Sequence, residues 1–268
     1  MVKRKSINGT SEAEPSSKKS KQTTKAGASS KTSKSCTLEK APKASTKADK
    51  KQSYPKLVDE DDNFETEKLE FTEPAPMLNS RGQLVFQTHP EFRPNLTPKE
   101  VLHMGSFGGT YYRPIYSSIT KKNYSGAWKE LPKDWLEGLS LSKQVSNPKY
   151  DVGVNRYGVK CGGSLEMWEE SGWMHKQDPY GWFQWYCRYY QGRRTSDDDR
   201  QIGRWLRCAG DTGRWRGNLI SKCYKSGKAF DNRVVSPVVR QTLQHWAYQL
   251  NKEDFEAGVK RMKAKGSL

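Results

Sequence analysis

Hydrophobic positions along this chain change their spacing, and the changes mark its elements. In the first 56 residues almost no apolar pattern exists, and Tyr54 is the only aromatic side chain there. The alternation at Gln83-Leu84-Val85-Phe86, entered through the turn-type cluster Asn79-Ser80-Arg81-Gly82, predicts a short strand. Two later stretches have helical spacing. At about 100° per residue, Gln184, Arg188 and Gln191 share one narrow stripe, while Trp182, Phe183, Trp185, Tyr186, Tyr189 and Tyr190 cover the remaining circumference. A helix apolar on nearly every side is a buried one, so its rings read as core rather than as a platform for stacking bases. The next helix has two faces: Arg200, Arg204 and Arg207 recur at i, i+4 and i+7, opposite Ile202, Trp205, Leu206 and Ala209. Trp185 and Trp205 are expected to face the core.

Cap chemistry places the helix starts. Thr97-Pro98-Lys99-Glu100 offers a hydroxyl at the N-cap, proline at the first helical position and a carboxylate three residues after the cap, predicting a helix towards Met104. Asp178-Pro179 and Ser236-Pro237 repeat the cap-plus-proline pair, and Ser196 with Asp199 matches the capping box, so helices are expected near 179, 197 and 237. The run GSFGGT over residues 105–110 reads as a loop leading into Tyr111-Tyr112-Arg113-Pro114-Ile115-Tyr116. Pro148 with Gly153, Gly158, Gly162 and Gly163 breaks regular structure over 146–164. The expected fold is α+β, a helix-dominated single domain with little strand. It spans residues 76–268, preceded by a disordered Lys/Ser-rich tail over 1–56 and an acidic, proline-containing linker over 57–75.

Charge sharpens this division. The net +17 of the chain splits into +11 for residues 1–56, −6 for 57–70 and +12 for the remainder, and within that remainder residues 188–268 hold eighteen basic against eight acidic side chains. A surface of this kind attracts polyanions, which makes nucleic acid the favoured partner class, with acidic nuclear proteins next. Lys3-Arg4-Lys5 and Lys18-Lys19-Ser20-Lys21 read as nuclear-import clusters, and the acidic run Asp59-Glu60-Asp61-Asp62 as a linker able to fold back on the basic domain. Nowhere do about 18 consecutive apolar residues occur, so no membrane span is expected. Cys36, Cys161, Cys187, Cys208 and Cys223 are odd in number and contain no CxxC pair, which points to free, mostly buried thiols in a reducing compartment.

From Arg188 to Arg216 the chain has eight arginines and no lysine. Guanidinium groups pair two phosphate oxygens at once and stack on rings, which lysine cannot do. Arg193, Arg194, Arg200, Arg204, Arg207, Arg214 and Arg216 are therefore the candidate phosphate ligands, with internal pairing to Asp197, Asp198, Asp199 and Asp211 as the alternative. Three consecutive aspartates on a helix diverge and cannot form a two-metal site. Glu166, Glu169 and Glu170 read as a solvated face or as arginine partners. The four histidines have no metal-ligand spacing, Cys161 reads as an inert buried thiol, and the Gly108-Gly109 pair gives weak support for an anion nest. No cofactor motif is present.

The blocks GSFGGTYYRPI over 105–115 and DPYGWFQWYCRYYQGRRTSDDDRQIGRW over 178–205 resemble those of an uncharacterised family of hypothetical proteins, across about residues 85 to 225. The resemblance implies a shared architecture, and no catalytic residue or cofactor comes with it. The leading reading is a nuclear nucleic-acid-binding protein, without a helix-turn-helix, zinc-finger or RRM signature. One alternative is a nucleic-acid-processing enzyme that takes a base into an aromatic pocket built from Tyr111, Tyr112 and the 182–190 cluster, with Arg113 and either Glu166 or Asp198 beside it. The other is an adaptor binding an acidic protein.

Overall fold

The computed structural model describes residues 70–267, all within the compact unit that begins at Lys56. The tail over 1–56, its two basic clusters, Cys36 and the acidic run Asp59–Asp62 lie outside the described residues. Backbone pairing starts inside the stretch read as linker: Phe71 forms an antiparallel bridge with Arg193, and the Thr72 and Glu73 N–H groups both donate to the Gly192 carbonyl.

Two two-stranded antiparallel sheets supply the strand content. β1 (Met77–Leu78) pairs with β2 (Leu84–Val85) across the turn read from Asn79 to Gly82. α1 (Pro98–His103) then begins on the complete Thr97/Glu100 capping box. The second sheet joins β3 (Ile115–Ser117) to β4 (Lys122–Tyr124). α2 (Lys133–Leu136) and α3 (Leu165–Glu170) follow, with only short helical turns over the glycine-broken stretch between them. The C-terminal half is helical: α4 (Trp182–Tyr190), α5 (Asp198–Ala209), α6 (Arg214–Ser226), α7 (Pro237–His245) and α8 (Lys252–Ala264). The fold is thus the expected helix-dominated α+β.

α4 is the centre of the core. Trp185, Tyr186, Cys187 and Tyr189 are fully buried, and Phe92 packs against Trp185, Tyr186, Tyr189 and Trp205 with ring centroids 5.1–5.9 Å apart. Both tryptophans expected in the core are there, and each indole N–H has a partner: Trp185 donates to Asp198 Oδ1 at 2.9 Å and Trp205 to the Trp246 carbonyl at 2.8 Å. A buried indole without such a partner forfeits part of its packing gain.

The cap readings need three corrections. α4 starts at Trp182 rather than near 179, after Gly181 at φ +88°, because the Asp178 carboxylate is engaged by two arginines and caps no helix. α5 starts at Asp198 without the Ser196/Asp199 box, its N-cap Asp197 making no cap bond, because the Thr195 N–H and hydroxyl donate to the two Asp198 oxygens at 2.9 and 3.0 Å and fix the entry instead. Pro237 does open α7, but Ser236 makes no cap bond and its hydroxyl accepts from Lys222 Nζ instead.

The GSFGGT run is a crossing point and not an anion nest. Phe107, Gly108 and Gly109 are consecutive residues at φ +55°, +57° and +74°, and their N–H groups point inward. Phe107 N–H donates to His245 Nε2, Gly108 N–H to Asn155 Oδ1 and Gly109 N–H to the Ser106 carbonyl. A Cβ on Gly109 would stand 2.0 Å from the Lys143 carbonyl oxygen, so only glycine permits this approach. Phe107 keeps its strained conformation because its ring stacks on His245 with centroids 4.1 Å apart.

Candidate nucleic-acid interface

The eight arginines between 188 and 216 divide between interior and surface, three to five. Arg193 is 5 % exposed and chelates Asp178 through two parallel bonds of 2.8 and 2.6 Å. Arg188 bonds the same carboxylate at 3.0 Å and Glu130 at 2.6 Å, all three side chains being buried. Arg216 bridges Asp211 and Asp254, each at 2.8 Å, and lies over the Tyr248 ring. Arg193 and Arg216 therefore leave the set of phosphate ligands, since both guanidinium groups are buried and their forks are filled by the protein's own carboxylates. A bidentate buried pair of this kind holds its charges in place because removing either partner strands the other in a poorly solvating interior.

Arg194, Arg200, Arg204, Arg207 and Arg214 remain at or near the surface. Arg194 stacks over Tyr189 at 3.9 Å and donates to Thr88 Oγ1, and exposed Arg214 lies over Trp215 at 5.1 Å. The other three share the outer face of α5, as the i, i+4, i+7 spacing requires, while Ile202, Trp205 and Ala209 are buried on the opposite side. Arg200 pairs with Asp197, donating from Nη2 to Oδ2 at 2.8 Å. Burial pushes the Asp197 carboxyl up, but the bonds from Arg200 and Gln201 outweigh it and leave it below its ordinary value.

Arg204 occupies the middle of this face. Its guanidinium lies 5.8 Å from the Trp173 ring centre and 5.5 Å from that of Trp246, and Nη1 donates to the Trp173 carbonyl at 3.2 Å and to Gln201 Oε1 at 2.9 Å. Burial, followed by repulsion from Arg200, lowers its pKa to about 10, with Arg207 adding to the repulsion. It is still charged at neutral pH. Arg207 is exposed and folds back over Gly203, where a Cβ would meet its Nη1 at 3.3 Å. Among the described residues no carboxylate forms an ion pair with Arg204, Arg207 or Arg214. Three guanidinium groups on one helix face thus share a single carboxylate, Asp197. Such a cluster is a ready acceptor for an external anion with several oxygens.

The residues proposed for an aromatic pocket do not form one. Tyr111 and Tyr112 are core side chains: the Tyr111 hydroxyl donates to the Tyr180 carbonyl and accepts from the Gln184 N–H, and the Tyr112 hydroxyl approaches Cys187 Sγ at 3.5 Å. Arg113 donates to the Thr110 carbonyl, and Glu166 is exposed on α3. Glu169 departs from both roles read for it, since it is buried and accepts from the Ser117 and Ser118 hydroxyls and the Ser118 N–H. The aspartate run diverges as expected, with Asp197 on Arg200, Asp198 on Trp185 and Thr195, and Asp199 out towards His89.

The four described cysteines are free and buried. Burial pushes the Cys161 thiol up, away from nucleophilic readiness, and its Sγ lies 3.1 Å from Thr242 Oγ1. Among the described residues no group of three His, Cys, Asp or Glu is placed to hold a metal ion, and no helix is long and apolar enough to cross a membrane.

Sequence reasoning missed the surroundings of Arg204. Trp173 and Trp246 lie 31 and 42 positions from it along the chain and carry no motif that ties them to α5. Comparison with known protein families, with curated proteins and with solved structures returned no match to this chain.

Proposed function

We propose that this chain is a nucleic-acid-associated protein of the nucleus that holds the phosphate backbone through the outer face of α5. Arg200, Arg204 and Arg207 form the centre of that contact, and Arg194 and Arg214 are additional ligands. The observation that carries this reading is the pairing on the outer face of α5, where three guanidinium groups share Asp197 while Asp198 and Asp199 are turned to Trp185 and His89. The lysine-rich segment over 1–56 adds sequence-independent affinity, and its basic clusters supply the import signal. Recognition is of phosphate, whose paired oxygens fit the guanidinium forks.

The test is a salt titration of the full chain and of the triple variant Arg200→Gln/Arg204→Gln/Arg207→Gln on one duplex and one single-stranded oligonucleotide. The slope of log affinity against log salt is expected to fall by roughly 0.9 per lost duplex contact, or about 0.7 on a single strand. Replacement of the three by lysine should retain more affinity than glutamine, because charge survives while the fork is lost. Equal slopes from two proteins with the same melting temperature would remove α5 from the interface. Saturable binding to an acidic protein, with no affinity for either oligonucleotide, would select the adaptor reading instead.

A further inference from the structure

All nine tryptophans of the chain lie among the described residues, and eight of them are buried or half-buried. Trp173 is the exception, with 45 % of its surface exposed. An indole facing water gives up part of the burial that places the others in the core. A single exposed ring means little by itself, and what sets this one apart is what holds it.

The backbone of Trp173 is held by the arginine face itself. Its carbonyl accepts from Arg204 Nη1 at 3.2 Å and from Arg200 Nη1 at 3.4 Å, while its N–H donates to the Trp168 carbonyl at the end of α3. Arg204 in turn lies over the indole. The ring is thus fixed beside the uncompensated guanidinium groups rather than trailing from a loose loop. Holding a ring in advance reduces the ordering cost that a ligand must otherwise meet on binding.

An exposed indole fixed next to a cluster of guanidinium groups matches the two needs of an unpaired nucleotide, a flat apolar face for the base and forked donors for its phosphate. A duplex offers only the second, because its bases are stacked on one another. We infer that the α5 face is a binding site for single-stranded nucleic acid, in which a base stacks on Trp173 while Arg204 and Arg207 hold the adjoining phosphate. This rests on the proposed function of the same face and assigns its substrate class. Any base has such a face, so the site is indifferent to sequence.

The experiment uses the full chain, with fluorescein-labelled oligothymidylate of about 15 nucleotides, the size range that one such groove covers, and a blunt duplex of equal length. Trp173→Ala is expected to weaken oligothymidylate binding roughly 5- to 100-fold, the span found for loss of one stacked base. Duplex affinity should change less than about 3-fold, and the salt slope should be unaltered on both ligands, since no charge is removed. Trp173→Phe should recover most of the loss, which a merely structural role would not predict, and both variants should melt with the parent. Trp173→Ala binding oligothymidylate as the parent does, or losing equally on the two ligands, overturns the inference. If the triple glutamine variant still lowers the slope in that case, the phosphate-binding reading stands and the stacking site alone falls. If the parent binds neither ligand, both fall.

Discussion

Arginines of the interior and of the outer face of α5 are the same residue type drawn from one short stretch, and they do opposite work. Arg188, Arg193 and Arg216 are surrounded by Glu130, Asp178, Asp211 and Asp254, and Arg240 by the carbonyls of Val235 and Phe230. Each has its terminal guanidinium nitrogens engaged within the protein and fixes one segment to another. Arg204 and Arg207 lie only eleven and fourteen positions beyond Arg193, yet no carboxylate pairs with them among the described residues. An arginine-rich stretch is therefore no measure of a binding surface. What decides its role is where the carboxylates fall once the chain has folded.

That contrast is most easily broken at Asp178, which is fully buried between two guanidinium groups. Asp178→Asn should destabilise the domain by about 3–5 kcal/mol, because two buried cations lose their shared partner. Chemical denaturation checks this, and a variant as stable as the parent would show that Glu130 suffices for both.

A second interior group sharpens the comparison without any ion pair. His245 is held neutral, burial pushing its pKa down to about 3, and its Nε2 accepts the Phe107 N–H. A folded-state value below the unfolded one means that stability is full above about pH 6.5 and falls as the unfolded chain takes up a proton that the folded one refuses. By pH 5 the loss should be about 2 kcal/mol. The stability advantage of the parent over His245→Gln should shrink by that amount between pH 7 and 5, and a constant difference would refute the assignment.

The smallest stability effect belongs to the surface. Arg207→Gln should stay within about 0.5 kcal/mol of the parent in denaturation, since the side chain is exposed on the outer face of α5. A larger loss would place Arg207 with the interior set.

Local features were legible in the sequence where their physics is local. The Thr97 capping box, the all-round burial of α4 and the two faces of α5 follow from spacing alone, and the structure has all three. Asp178 looked like a helix cap because its true partners stand ten and fifteen residues on, beyond the range at which cap chemistry operates. Arg216 looked like a surface group because Asp254 belongs to α8, a helix whose thin apolar stripe of Phe255, Val259 and Met262 left it unread. Trp173 was hidden for a related reason: its exposure depends on a turn after α3 and on guanidinium groups from a helix far along the chain.

The crossing at Gly105–Gly109 sets the order in which the chain can be completed. Gln244 of α7 donates to the Gly105 carbonyl across 139 residues, Arg156 N–H donates to the same oxygen, and the Asn147 N–H donates to Gly109. Three segments distant in the chain must meet there at backbone contact distance, and each meeting closes a long loop whose entropy is lost before the contact forms. A nascent chain emerging from the ribosome has to wait for α7 before this knot can tighten. The native arrangement of 105–109 cannot be complete before α7 docks, and the folding rate should be sensitive to contacts of such long sequence separation.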